Sequence, residues 1–205
     1  TMAGAAGAYG EVSFQGGMGT AQSWTYKLSD QAQALRGGET ITETLTVKSK
    51  DGTASQKISV TIQGVNDAAT IGGASTAAIT EDDGGASGRL SVSDVDHGEN
   101  VFAVANASVA GEYGDLTFNG GQWSFALNQN AQSLAAGETV TEKMTVTSKD
   151  GTATQVILVT VTGVNDAATF GGDASGSVTE DAVGVSGVLT TNDVDHNETG
   201  FQAVS

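Results

Sequence analysis

The stretch GVNDAAT occurs twice, at Gly64–Thr70 and again at Gly163–Thr169, each time after a run of β-branched residues (VTI at 60–62, VTVT at 159–162). Alternating β-branched residues predict a strand that ends at the glycine. The Asn-Asp pair then sits at a strand end, where two polar side chains need partners. The search for those partners leads outward along the chain.

Asn66 matches Asn165, a period of 99 residues. The same offset carries GGETITETLTVKSKDGTAS from Gly37 onto AGETVTEKMTVTSKDGTAT from Ala136, and ITEDDGGASGRLSVSDVDHGEN (Ile79–Asn100) onto VTEDAVGVSGVLTTNDVDHNET (Val178–Thr199). YGEVSFQGG at Tyr9 matches YGDLTFNGG at Tyr113 with an offset of 104, so the first copy carries five extra residues within GMGTAQS before Trp24. These are expected to lengthen a hairpin loop. The reading divides the chain into a partial repeat, 1–65, lacking its first two strands; a complete repeat, 66–164; and a partial repeat, 165–205, holding the first two strands of the next module.

A period near 100 residues suits a sandwich domain. Threonine, valine and glycine are abundant and proline is absent, as expected of an all-β protein with glycine turns. Alternation predicts strands at 75–80, 88–93, 101–108, 114–119, 122–127, 139–148 and 152–163. Seven strands is the count of an immunoglobulin-like sandwich. NGGQ (Asn119–Gln122) and KDGT (Lys149–Thr152) read as two-residue hairpin turns. Asn128–Glu138 reads as a short helical turn capped by Asn128 and stopped by Gly137. Trp123, Phe125, Leu127, Leu134, Met144 and Val146 are expected in the core. Trp24 is expected there too, in preference to a sugar-stacking role.

With 24 acidic residues against 8 basic ones, the chain is expected to repel nucleic acid and anionic membranes and to favour cations. It has no cysteine, which excludes disulfides and thiolate metal sites. No run of about 18 apolar residues reads as a membrane span. The N-terminal residues match neither a signal peptide nor a natural start, so the chain reads as a piece of something longer. The acidic residues recur at strand ends. Strand alternation places Glu39, Asn66 and Asp67 opposite Asp94 and Asp96, with Asp150 nearby. It places Glu81, Glu138, Asn165 and Asp166 opposite Asp193 and Asp195. Converging carboxylates repel unless neutralised, and oxygen-only ligands suit a hard cation such as Ca²⁺. Asp150 is read either as a ligand or as a turn former. His97 and His196 are read as polar loop residues in preference to ligands.

ITEDDGGASGRLSVSDVD, LAAGETVTEKMTVTSKDGTA and VTVTGVNDAAT resemble the VCBS-type repeats, bacterial cadherin-like domains of giant RTX-type surface adhesins. The resemblance covers the whole chain. It implies tandem cadherin-like Greek-key β-sandwich modules with calcium between them, held by Glu81, Glu138, Asn165, Asp166, Asp193 and Asp195. Ala68 and Ala167 stand where cadherin linkers carry a second asparagine, which implies fewer ions per junction. It also implies secretion and a spacer, filament or adhesion role in biofilm or surface attachment. A ligand-binding adhesin module is the alternative. An enzyme is disfavoured: the sequence carries no nucleophile elbow, zinc motif or acid pair outside the junctions. The expected partners are neighbouring repeats, with head-to-tail strand complementation by other copies where 1–65 lacks strands that 165–205 holds. Self-closure is disfavoured because the complete module, about 40 Å long from its strand lengths, would separate the two ends.

Overall fold

The computed structural model describes residues 2–15 and 21–202. Most of the proposed loop insertion, residues 17–20, lies outside the described residues. The described chain is all β. Its strands in order are β1 (Met2–Ala6), β2 (Gly10–Gln15), β3 (Ser23–Leu28), β4 (Thr40–Lys48), β5 (Ser55–Gln63), β6 (Thr70–Gly73), β7 (Thr76–Thr80), β8 (Ala86–Ser93), β9 (Asn106–Ala110), β10 (Gly114–Asn119), β11 (Gln122–Leu127), β12 (Thr139–Thr147), β13 (Thr154–Thr162), β14 (Thr169–Gly172) and β15 (Leu189–Asn192). Two 3-10 turns, Asp30–Ala34 and Gln129–Ser133, supply the helical geometry among the described residues.

The chain forms two compact units. The first comprises residues 1–71, 92–103 and 147–154. It contains a three-stranded sheet, β1-β2-β3, and the hairpin β4-β5. Val12, Leu35, Leu45 and Ile62 are its buried centre. On the outer face of the hairpin, hydroxyls meet across the strands: Thr42 with Thr61 at 3.3 Å and Thr44 with Ser59 at 3.3 Å. Such cross-strand pairs hold the register while the alternate residues turn inward. Asp51 organises the β4–β5 turn, accepting from the Ser49 hydroxyl at 2.5 Å, the Thr53 hydroxyl at 2.8 Å and the Thr53 N–H at 3.2 Å. These donors, the Ser49 hydroxyl foremost, lower its carboxyl from 3.8 to about 2. A depressed folded value means that its contribution to stability is present above 3.8 and lost as pH falls through about 2. A carbon-detected NMR titration is therefore expected to place the Asp51 midpoint well below that of a free aspartate; a midpoint near the free value would show that the turn does not hold its carboxylate.

The second unit comprises residues 72–91, 104–146 and 155–205. Its strands belong to a five-stranded sheet, β6-β8-β11-β10-β9, and a three-stranded sheet, β12-β13-β7. Inward residues of the first (Leu116, Phe118, Trp123, Phe125) and of the second (Met144, Ile157, Val159, Val161) are all buried. This is the alternation of a β-sandwich. β8 lies antiparallel to β11, with Gly88 opposite Trp123, and β7 lies parallel to β13, with Ile79 opposite Val161. The Trp123 indole N–H donates to the Ala74 carbonyl at 2.7 Å, which satisfies its polar atom inside the core.

Several details depart from the sequence reading. The strand expected at 101–108 divides. Phe102 bridges Ser148, and only Asn106–Ala110 joins β10, because the segment changes hydrogen-bonding partner between Ala103 and Asn106. β6 had no alternating signal, since two of its four residues are glycine. KDGT is not a two-residue turn: Ser148 and Ala153 close a four-residue loop by an N–H···O bond of 2.9 Å. Asn128 does cap the turn at 129–133, accepting from the Asn130 N–H at 2.9 Å. Gly137 does not stop it; the turn ends at Leu134 in extended geometry, and Gly137 serves the next bend with φ 78°, as its counterpart Gly38 does with φ 79°. Leu127 is only half-buried. Trp24 is 47% exposed where Trp123 is 1%: no strand covers β3 on its open side among the described residues.

Candidate metal centres

Two carboxylate clusters form, one within each unit. In the second unit, Glu81 follows β7 and is held by its own backbone: its N–H donates to the Thr162 carbonyl at 3.1 Å, and its carbonyl accepts from the Gln132 amide at 3.0 Å. That anchors its carboxylate at the end of β13, where one oxygen accepts from the Val164 N–H at 2.6 Å. Asp195 accepts from the Asp166 N–H at 2.9 Å, and Asp193 accepts from the Asp195 N–H at 3.0 Å, bracing the Asp-x-Asp loop. Glu81, Asp166 and Asp195 thereby offer carboxylate oxygens within 4.8 Å of one another. Glu81 and Asp195 are 3% and 1% exposed. Their remaining oxygens, Glu81 Oε2 and Asp195 Oδ1, are buried and lack any hydrogen-bond donor. Burial pushes the Glu81 carboxyl up, the Val164 N–H opposes this, and the charges of Asp195, Asp166 and Asp82 add to it.

The first unit repeats the frame. Asp67 donates its N–H to Asp96 at 3.0 Å, and Asp94 accepts from the Asp96 N–H at 2.9 Å. Here the grouped oxygens belong to Asp94, Glu99 and Asp150. Asp94 Oδ2, Asp96 Oδ1 and Glu99 Oε2 are buried without donors. Asp150 forms its turn and also lies in the grouped acidic set. It closes its turn through Ser148 at 2.5 Å and Thr152, and also accepts from the Asn66 amide at 3.3 Å. These donors, led by the Ser148 hydroxyl, hold its carboxyl well below the usual carboxylate range.

The remaining expected residues sit beside the clusters. Glu39 accepts from the Arg36 N–H at 3.2 Å and lies 3.6 Å from His97 Nε2. Glu138 accepts from the Ala135 N–H at 3.3 Å and lies 3.0 Å from His196 Nε2. Neither belongs to a grouped set among the described residues. Asn165 turns its amide onto the Asp166 carbonyl at 2.6 Å. His97 and His196 anchor their loops: Nδ1 of His97 meets the Ala34 carbonyl at 2.6 Å, and Nδ1 of His196 meets that of Ser133. Glu99 was missed by the sequence reading. Its recurrence as Glu198 in DVDHGE and DVDHNE was the available signal.

The glycine of GVNDAAT has a steric reason. A Cβ on Gly163 would overlap the carbonyl oxygens of Ala135 and Leu134, and its N–H and C=O bond Glu138 and Gly137 at 2.8 and 3.0 Å. The linker is thus pressed against the turn that carries Glu138. Gly163→Ala is expected to destabilise the second unit by about 1–3 kcal/mol through forced backbone shifts, read as a lower denaturant midpoint. An unchanged midpoint would show that this approach is not tight.

Residues 66–163 match the family model of the bacterial cadherin-like domain. With the two-sheet topology of the same residues, this identifies 66–163 as an all-β cadherin-like sandwich. No curated protein sequence matches the chain. Among solved structures, PcdhgB3 EC1-4 overlays with a TM-score of 0.43 at 14% identity, covering 94% of this chain and 49% of that one. Protocadherin gamma B7 extracellular cadherin domains 1–4 give 0.39 at 13%, covering 94% and 50%. Protocadherin gamma B2 extracellular cadherin domains 1–5 give 0.41 at 15%, covering 94% and 39%. The chain spans half or less of each. No helix among the described residues is long and apolar enough to cross a membrane.

Proposed function

We propose that the chain is a structural extender of a secreted bacterial surface protein, built from cadherin-like modules and stiffened by calcium at the junctions between repeats. The observation that carries this reading is that, among the described residues, the buried carboxylate oxygens without donors are on Glu81 and Asp195 and on Asp94, Asp96 and Glu99, in or beside the two clusters. Buried polar atoms are nearly always satisfied, and converging acids without a salt-bridge partner among the described residues, as at Glu81, Asp166 and Asp195, are what a bound hard cation stabilises; in the other set Glu99 also meets Arg36 at 3.7 Å. Glu81, Asp166 and Asp195, with Asp193 bracing them, would hold one ion. Asp94, Glu99 and Asp150, beside Asp96, Asp67 and Asn66, would hold another. Glu39, Glu138 and Asn165 orient the surrounding loops. The cation supplies positive charge that ties a linker to the module after it; this chain's residues supply the frame. Neighbouring repeats are the partners, together with other copies joined head to tail, and the setting is the bacterial exterior, in adhesion or biofilm.

The exposed aromatics do not favour a ligand platform. Trp24 and Phe201 correspond by the repeat to Trp123 and Phe102, which are buried and half-buried. Their exposure therefore marks uncovered core positions. A glycan array with the full chain tests the alternative adhesin reading directly.

Calcium affinity is expected on the order of 10⁻⁴–10⁻³ M, as in other extracellular modules. Chelator should lower both the melting temperature and the end-to-end length in X-ray scattering. Asp193→Ala with Asp195→Ala should loosen the second cluster alone. If neither melting nor length responds to chelator, the calcium reading is wrong.

A further inference from the structure

The acidic loop after β8 reads DVDHGE (94–99), and the loop after β15 reads DVDHNE (193–198). Both are seated in the same way. The His97 N–H donates to the Ala34 carbonyl and the His196 N–H to the Ser133 carbonyl, each at 3.0 Å and each at the end of a 3-10 turn. The next residue takes positive φ in both, 70° at Gly98 and 67° at Asn197. Asparagine tolerates that backbone, so φ alone does not demand glycine at 98. The demand is steric: a Cβ on Gly98 would lie 2.6 Å from Nη2 of Arg36. The residue 99 positions after Arg36 is Ala135. A large residue at 36 thus goes with glycine at 98, and a small one at 135 goes with asparagine at 197.

Arg36 uses the space that Gly98 leaves. Its Nε donates to the His97 carbonyl at 2.6 Å and lies 3.7 Å from Glu99 Oε1. Glu99 groups with Asp94 and Asp150, and its other carboxylate oxygen is buried without a donor. Lys149 Nζ donates to the next carbonyl, that of Gly98, at 2.8 Å. Two fixed cations therefore grip consecutive carbonyls of the loop that carries Asp94, Asp96 and Glu99. The lysine recurs at position 50, the repeat equivalent of 149, whereas the arginine is replaced at 135.

We propose that Arg36 is a built-in counter-charge that latches loop 94–99 in the absence of calcium and competes with calcium for Glu99. It is a positioning residue, acting on the cluster through the His97 carbonyl and the Glu99 carboxylate. The competition rests on the calcium reading; the latch does not. The two effects have opposite sign. Without metal, the guanidinium offsets the repulsion among Asp94, Glu99 and Asp150 and keeps the loop seated at Ala34. With metal, Glu99 is shared between two cations, and the ion meets a like charge nearby. The Arg36 side chain is 40% exposed, so water screens that repulsion. Loop 94–99 thus changes less between the metal-free and metal-bound states than its acids alone would make it.

Residue-resolved NMR on the full chain tests both parts, following the amides of 94–99 and 193–198 in chelator and through a calcium titration. Arg36→Gln keeps a donor for the His97 carbonyl and removes the charge; Arg36→Ala reproduces position 135. Unshifted amides outside the loop show that each variant folds. In chelator, the His97 amide of Arg36→Ala is expected to exchange about fivefold faster than in the wild type, with His196 unchanged. In calcium, Arg36→Gln and Arg36→Ala are expected to bind about threefold more tightly at 94–99, and Arg36→Lys as the wild type does. A merely structural residue would lower protection and calcium affinity together. Unchanged exchange at His97 in Arg36→Ala overturns the latch. Calcium binding in Arg36→Gln that is no tighter than in the wild type overturns the competition. Calcium that shifts no amide of either loop in the wild type overturns the calcium reading and the competition with it, and the exchange in chelator then decides the latch by itself.

Discussion

Trp123→Ala is expected to lower the free energy of unfolding of the second unit by about 3–5 kcal/mol, as for other fully buried large aromatics. The indole lies over Gly88 of the neighbouring strand β8, and truncation also leaves the Ala74 carbonyl without its donor. Trp24→Ala, at the equivalent position, is expected to cost less than about 1 kcal/mol in the monomer, because half of that ring already contacts solvent. Urea unfolding at a concentration low enough to keep the chain monomeric compares the two. Equal losses would mean that the first unit covers Trp24 by itself.

Glu81→Gln is expected to have opposite effects with and without calcium. In chelator, the glutamate is a buried charge facing Asp195 and Asp166. The amide removes that repulsion, and its oxygen can still accept from the Val164 N–H. The variant should therefore be more stable than wild type by about 1 kcal/mol or more. With calcium at 100 times its dissociation constant, the wild type gains about 2.7 kcal/mol from binding the folded state alone. The variant, one anionic ligand short, should gain much less, so the order of the two melting curves reverses. A variant that is less stable in chelator and gains as much from calcium would remove Glu81 from the site.

Much of this was legible along the chain because β structure writes a period of two into its sequence. The TVTEKMTVT and TQVILVTVT alternations gave β12 and β13 to within a residue or two, and Gly120 and Gly121, both at positive φ, marked the β10–β11 turn. The Asp-x-Asp loops and the Asn-Asp linker were legible for a different reason: they recur at strand ends, and strand direction alone puts those ends together. β6 was not legible, since Gly72 and Gly73 carry no side chains to alternate. Nor was the division of the 101–108 segment, because Val101 and Phe102 look like strand residues whichever partner they bond.

Local sequence determined the strands, the turns and the acidic character of their ends. What it could not determine was which carboxylate oxygens would be left without donors, because that depends on groups distant in the chain. Glu81 reaches Val164 across 83 residues, Asp96 reaches Asp67 across 29, and Glu99 meets Asp150 only through the fold. Burial was likewise not a property of the residue. Trp24 and Trp123 occupy the same place in the repeat, yet one is half in solvent and the other sealed. The difference is made by a covering strand, and in the apolar interior it is the covering, not the side chain, that removes water.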